Sequence, residues 1–292
     1  MSQVVLVVNH NRVTGNISKP NFTYQVRHIN DGIHAVYEID PSKFPPDGEP
    51  IAPKIKSKPS TETNPGKKSD ATPESASPSL RKAQNQDPFP KSGIGYGISA
   101  DAPLSGSASQ TDTLISINNS STSLSETQAD DGTVIDVLVV YTAEARSVEG
   151  GASAIESLID LSISVTNSIY SNSGVNHVLR LVGRQEISFS ENSFSFTGFL
   201  TAAQNGTIPG LRDLRDAVGA DLVAVLVDGD NSLCGIAGLM TEVSSAFAPF
   251  AYSVTQTSCA VGNLTMAHEI GHNMAARHDR ANDNIDGAPF NF

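Results

Sequence analysis

His268, Glu269 and His272 stand within one short stretch, Thr265-Met266-Ala267-His268-Glu269-Ile270-Gly271-His272, at a spacing suited to metal chemistry. On a helix, residues four apart share a face, so two imidazoles can be aimed at one cation while the carboxylate between them stands beside it. A third imidazole, at His278, completes the set if the helix stops and the chain turns back. Three protein ligands leave one tetrahedral position of a zinc ion open for water, which marks a catalytic site rather than a scaffold. There the cation acidifies water and polarises a carbonyl, and Glu269 is the candidate general base that takes a proton from water and returns it to the leaving group. The competing reading is a solvated helix that carries these residues without a metal. His10, His28, His34 and His177 have no acidic or histidine neighbour at ligand spacing and stay outside the site. Met266, Ile270 and Met274 read as packing residues of the same helix, not as sulfur ligands.

Such a helix needs a framework, and the second half of the chain supplies the pattern of one. Residues 134–141 form a nearly continuous apolar run rich in valine, as in a central strand covered on both faces. Ile155, Leu158, Leu161, Val165 and Ile169 recur at steps of three and four, which predicts a helix ending near residues 171–174. A strand is expected at 178–182, a loop at 188–205, and a short helix through Leu211, Leu214 and Val218 closed by Gly219. Residues 222–227 and 251–254 read as further strands. Strands alternating with helices describe an open α/β sheet. Between these last strands lies Cys234-Gly235-Ile236-Ala237-Gly238-Leu239, apolar but glycine-rich. Its glycines mark either a bulge or a place where another backbone approaches closely.

The first half differs. Residues 4–8, 16–18, 22–29 and 33–39 are short β-favouring runs, with Asn30-Asp31-Gly32 as a hairpin signal between the last two. They hold too few apolar positions for a stable core of their own. From Pro41 to about Asp131, Pro, Ser, Thr and Lys dominate and periodicity disappears, so a disordered linker is expected. Lys67-Lys68 and Arg81-Lys82 along it would be open to proteolysis. The expected organisation is a β-rich segment at 1–50, the linker at 51–131 and a folded domain at 132–292.

Charge is uneven. All nine lysines lie at or before Lys91, whereas residues 131–292 carry seven arginines against eighteen acidic residues, so most of the net charge of −12 falls there. That balance argues against nucleic acid or an anionic membrane as a partner. Acidic loops could hold Ca²⁺, although a solvated surface is the commoner use of such residues. The cysteines are Cys234 and Cys259, flanking the segment before the histidine helix. One disulfide in an exported protein fits them, and two buried thiols are the alternative. No cysteine precedes residue 234, which excludes a cysteine latch from the first half. The first residues lack the pattern of a signal peptide, and no apolar run is long enough to span a bilayer.

The run His268-Glu269-x-x-His272-x-x-Ala275-x-x-His278-Asp279 resembles the zinc signature of the metzincin proteases, and the Asp after the third His resembles their reprolysin (adamalysin-like) branch. Val139-Val140-Tyr141-Thr142, Leu211-Arg212-Asp213 and Cys234-Gly235-Ile236-Ala237 extend the likeness to secreted bacterial members over residues 132–292. The resemblance implies a zincin-like α/β fold, an open twisted mixed sheet with an active-site helix, and a secreted, monomeric zinc endopeptidase acting on polypeptides. It implies that Gly235, Ile236, Ala237 and Gly238 form an edge strand to which an extended substrate adds. Asp279 would then be a hydrogen-bonding residue at the turn, and the β-rich first segment the end of a propeptide.

Two departures stand out. Ala275 replaces the family's glycine where the helix ends, at a cost of roughly 1–2 kcal/mol if its φ is positive. No methionine follows His278, so the family's methionine turn is not in this sequence, and a chain truncated at both ends is expected. The alternative function is a zinc-binding but inactive fragment acting through protein contacts.

Overall fold

The computed structural model describes residues 2–9, 11–30, 32–54 and 133–279. Of the linker expected at 51–131, residues 55–131 lie outside the described residues, as do His10 and Asp31 of the hairpin signal. Strands β1 (Gln3–Asn9), β2 (Arg12–Lys19), β3 (Phe22–Asn30) and β4 (Ile33–Ile39) pair antiparallel in sequence order as one sheet. The second sheet contains β5 (Val134–Tyr141), β6 (Val178–Glu186), β7 (Leu222–Val227), β8 (Gly235–Ala237) and β9 (Tyr252–Gln256), in the order β6-β5-β7-β9-β8. All its pairs are parallel except β8 with β9, so it is the open mixed sheet expected.

Five helices accompany it: α1 (Ala143–Val148), α2 (Ala152–Asn172), α3 (Phe196–Asn205), α4 (Leu211–Val218) and α5 (Thr265–Asn273). The apolar run of β5 has a simple cause, because both faces of the strand are covered. Val137, Val139 and Tyr141 pack with α2 and α5, whereas Leu138 and Val140 pack with Phe196, Phe199 and Leu200 of α3.

Helix α3 corrects the loop expected at 188–205. Ser195 caps it through its side chain, and Phe196, Phe199, Leu200 and Ala203 are buried at helical spacing. Threonines and a glycine among them blur that period in the sequence. Helix α1 was also not anticipated; its Thr142 cap accepts a hydrogen bond from the Ala145 amide at 3.0 Å.

The first sheet has no core of its own. Val5 and Val7 of β1 face the core around α2, while Val4, Leu6 and Val8 point outward and are exposed. Arg27 of β3 pairs with Glu149 at 2.6 Å, both side chains largely buried. A second correction follows at its end, since order does not stop at Pro41. A 3-10 turn at Pro41–Lys43 is capped by the Asp40 side chain. Residues 46–51 then lie along β8: Cys234 N donates to Pro46 O at 2.8 Å, Gly48 N to Gly235 O at 2.8 Å, Ile51 N to Ala237 O at 2.8 Å and Leu239 N to Ile51 O at 2.9 Å.

Cys234 and Cys259 form a disulfide with their Cα atoms 5.5 Å apart, which settles the choice between bridge and thiols. It ties the start of β8 to the turn that leads into α5. Closing a loop of 25 residues removes freedom from the unfolded chain and is worth about 3 kcal/mol. Replacing both cysteines by serine is expected to lower the unfolding free energy by about that amount in urea titrations; an unchanged midpoint would show that the bridge adds nothing.

Candidate metal centre

Helix α5 is fixed at both ends and along its length. Thr265 N and Met266 N bond to the carbonyls of Cys259 and Ala260 in the turn held by the disulfide. Tyr170 of α2 donates its hydroxyl to Ala267 O at 3.0 Å. Asn273, fully buried, donates from Nδ2 to Gly238 O at 2.7 Å and to Tyr252 O at 3.1 Å, so its amide pins the last turn to β8 and β9. Sequence reasoning passed over Asn273. Its signal was an asparagine directly after a presumed ligand, where a helix runs out of its own donors.

After α5 the chain reverses. Ala275 has φ 73°, so the positive backbone angle is kept although the residue is alanine. Ala276 N closes the turn onto Gly271 O at 2.9 Å, and the chain returns with His278 beside the helix. His268 Nε2 lies 3.0 Å from His272 Nε2 and 3.2 Å from His278 Nε2. In a tetrahedral zinc site, bonds of about 2.0–2.1 Å separate ligand nitrogens by roughly 3.3 Å, so these three rings fit the ion. His272 Nδ1 is 2.9 Å from Ala276 O; donating its proton there leaves the Nε2 lone pair for the metal. Burial holds the His268 and His272 pKa values down, His272 to about 4, and keeps both rings neutral at pH 7. Among the described residues no second cluster of His, Cys, Asp or Glu has metal-holding geometry, and Asp279 takes no part in this one.

Glu269 faces away from solvent with no exposed surface, and neither carboxylate oxygen has a hydrogen-bond partner. Burial, and then the nearby charge of Asp47, raises its pKa well above the ordinary carboxyl value. Gly235 makes room for it: a Cβ there would lie 2.6 Å from Thr265 Cγ2 and 2.9 Å from Glu269 Oε1. Gly238 likewise admits the carbonyl of Phe250. These glycines therefore let α5 and a neighbouring loop approach the edge strand, a use additional to the close approach of substrate expected from the sequence.

Residues 154–279 match the model of the reprolysin-like metallopeptidases of family M12B. That stretch is similar to the reprolysin-like metallopeptidases. The chain is 28% identical over 286 residues to a peptidyl-Asp metalloendopeptidase of Stenotrophomonas maltophilia strain R551-3, covering 97% of this chain and 53% of that one. A protein of the same name from strain K279a is 36% identical over 162 residues, 53% of this chain and 37% of its own. The chain thus spans about half or less of the curated relatives it matches. Among solved structures, metalloproteinase-II from Bacteroides fragilis aligns with 13% identity and a TM-score of 0.47, over 95% of this chain and 69% of that chain.

Two expectations follow for residues 133–279. Ala275→Gly relieves the positive φ and should raise the unfolding free energy by about 1 kcal/mol, less what the freer unfolded glycine returns; a loss of stability would mean that the buried Cβ matters more than the backbone. In the metal-free protein the folded state holds a proton on Glu269 above the ordinary carboxyl pKa, so stability falls as pH rises through that window. Glu269→Gln escapes this, and its melting temperature should exceed that of the native chain by about 2 °C or more at pH 7. The gap should close toward pH 4. Equal melting curves at both pH values would contradict it.

Proposed function

We propose that the reprolysin-like domain is a zinc-dependent endopeptidase in which His268, His272 and His278 hold the ion and Glu269 is the general base. The observation that carries this is a buried carboxylate without partners beside three converging imidazoles, next to a sheet edge that accepts another backbone. Zinc, when bound, supplies a Lewis acid for the scissile carbonyl and lowers the pKa of water. Glu269 takes the proton of the attacking water, and its raised pKa suits it to hold that proton until the leaving amine needs it. Cys234 N and Leu239 N donate to an extended peptide on β8, while Gly235 O and Ala237 O accept from it, which fixes the chain before attack.

The relatives' name supports peptide bonds next to aspartate as the substrate class. The disulfide supports an exported protein working in an oxidising compartment. No helix among the described residues is long and apolar enough to cross a membrane. Residues 1–54, packed on α2 and laid along β8, are on this reading the pro-segment. The second reading, a metal-binding chain without turnover, is favoured by one observation: β8 already has an occupant.

The test pairs metal content with hydrolysis in the protein carrying this domain. Glu269→Gln should keep one zinc per chain and lose at least about 100-fold in hydrolysis of a quenched peptide containing aspartate. A chelator should abolish the native activity and zinc restore it. Replacing the peptide's aspartate by alanine should slow cleavage. Full activity in Glu269→Gln would remove that residue from the role.

A further inference from the structure

We propose that the cleft between the first sheet and the start of α2 is a binding site for a small tetrahedral oxyanion of the phosphate or sulfate type. A cavity of about 340 Å³ lies there, with Arg12, Thr14, Gln25 and Arg27 on the sheet side and Glu149 and Ala154 on the other. None of the three converging histidines lines it.

The sheet faces the body with its polar side on β2 and β3. Thr14, Asn16 and Gln25 share one face by register and are buried, whereas Val4, Leu6, Val8 and Val36 stand on the opposite face and are exposed. A half-buried sheet ordinarily hides its apolar face and wets its polar one. Polar groups withdrawn from water cost free energy unless something bonds to them.

Three sources of hydrogen-bond donors converge on the cavity. The first is the N-terminus of α2, a helix of 21 residues: Gly151 caps it without a side chain, and its first turn holds no acidic residue. A Cβ on Gly151 would meet nothing within 4 Å, so the helix end faces open space, and Ala154 of the same turn lines the cavity. The amides of Ala152 and Ser153 have no carbonyl within the helix to donate to, and the helix dipole adds partial positive charge there.

The second source is Gln25, only 5% exposed. Its Oε1 accepts from Arg27 Nε at 3.3 Å, while Nε2 is buried without an acceptor. That amide stands where sheet and body meet, since a Cβ on Gly262 would lie 3.0 Å from Nε2. A buried donor left unbonded by the chain points to a partner outside it. The third source is the pair of guanidiniums. Glu149 Oε2 lies 2.6 Å from Arg27 and offsets one charge. Arg12 has no ion pair among the described residues, so these groups together keep a net positive charge. An oxyanion with four oxygens accepts from all three sources at once, whereas a carboxylate has two oxygens to divide among them. Because the donors belong to β2, β3 and α2, the bound oxyanion ties the first sheet to the body.

The test uses the full chain as purified, read by calorimetric titration and by melting temperature. Inorganic phosphate and phenyl phosphate are the probes, sodium chloride at equal ionic strength is the reference, and acetate is the carboxylate control. At least one of the two phosphates should bind saturably, and at a hundredfold excess over its Kd it should raise the melting temperature by about 5 °C or more. Tighter binding of phenyl phosphate would identify the ligand as an ester, and the reverse as the free ion. Arg12→Gln removes the charge, and Ala154→Asp puts a carboxylate of the chain's own at the helix end. Both should weaken phosphate binding about tenfold or more. A rise in melting temperature that never saturates and is equal in the native chain and both variants is the general salting effect of the anion and would overturn the proposal. Acetate binding as tightly as phosphate would overturn it too.

Discussion

Three imidazole lone pairs can share one point only if the segment carrying the third ring doubles back on the helix that carries the other two. In this chain the reversal is concentrated at Ala275, whose φ of 73° is disfavoured for any residue with a Cβ. The surroundings hold it there. Asn273 fastens the preceding turn to two strand carbonyls, Ala276 closes onto Gly271, and His272 reaches Ala276 O through its own ring. Backbone strain of this kind persists where neighbouring contacts over-determine the conformation. The ligand geometry and the helix end are therefore one structural problem with one solution.

The buried carboxylate sets the second condition. Glu269 is out of water with no donor at either oxygen, an arrangement that costs stability and is tolerated where chemistry uses it. It can lie there because position 235 has no side chain, and β8 stays in place because a disulfide anchors the residue before it to the turn before α5. The same short strand thus bounds the buried carboxylate on one side and receives the backbone of residues 46–51 on the other.

Much of this was legible in the sequence because it depends on local spacing. Histidines four apart on a helix report their shared face directly, and β7 and all of β5 but Asp136 are largely apolar because helices cover both of their faces. Helix α3 was hidden because its four buried positions sit among Ser, Thr and Gly and beside Phe189 and Phe194, whose rings join the same aromatic cluster. The course of residues 46–51 was hidden for a different reason. Its bonds to β8 are made by backbone atoms, which composition does not encode, and Asp47 meets Thr265 across 218 positions of sequence. A run of Pro, Asp, Gly and Glu looks like linker until its partner is known. Asn273 was overlooked because a buried amide differs from an exposed one only in its surroundings.

The seating of the first sheet on α2 has a consequence of its own. Val5 and Val7 rest on the core of the larger unit and Arg27 meets Glu149, so a cut anywhere between residues 54 and 133 would divide the backbone without parting the two pieces. In the intact chain residues 46–51 rebind at the high effective concentration of a tethered group. Once the tether is cut, that advantage is lost and a bimolecular dissociation constant governs what fraction of the pieces stay together. Dilution, rather than the cut itself, would then set how completely the edge of β8 becomes open.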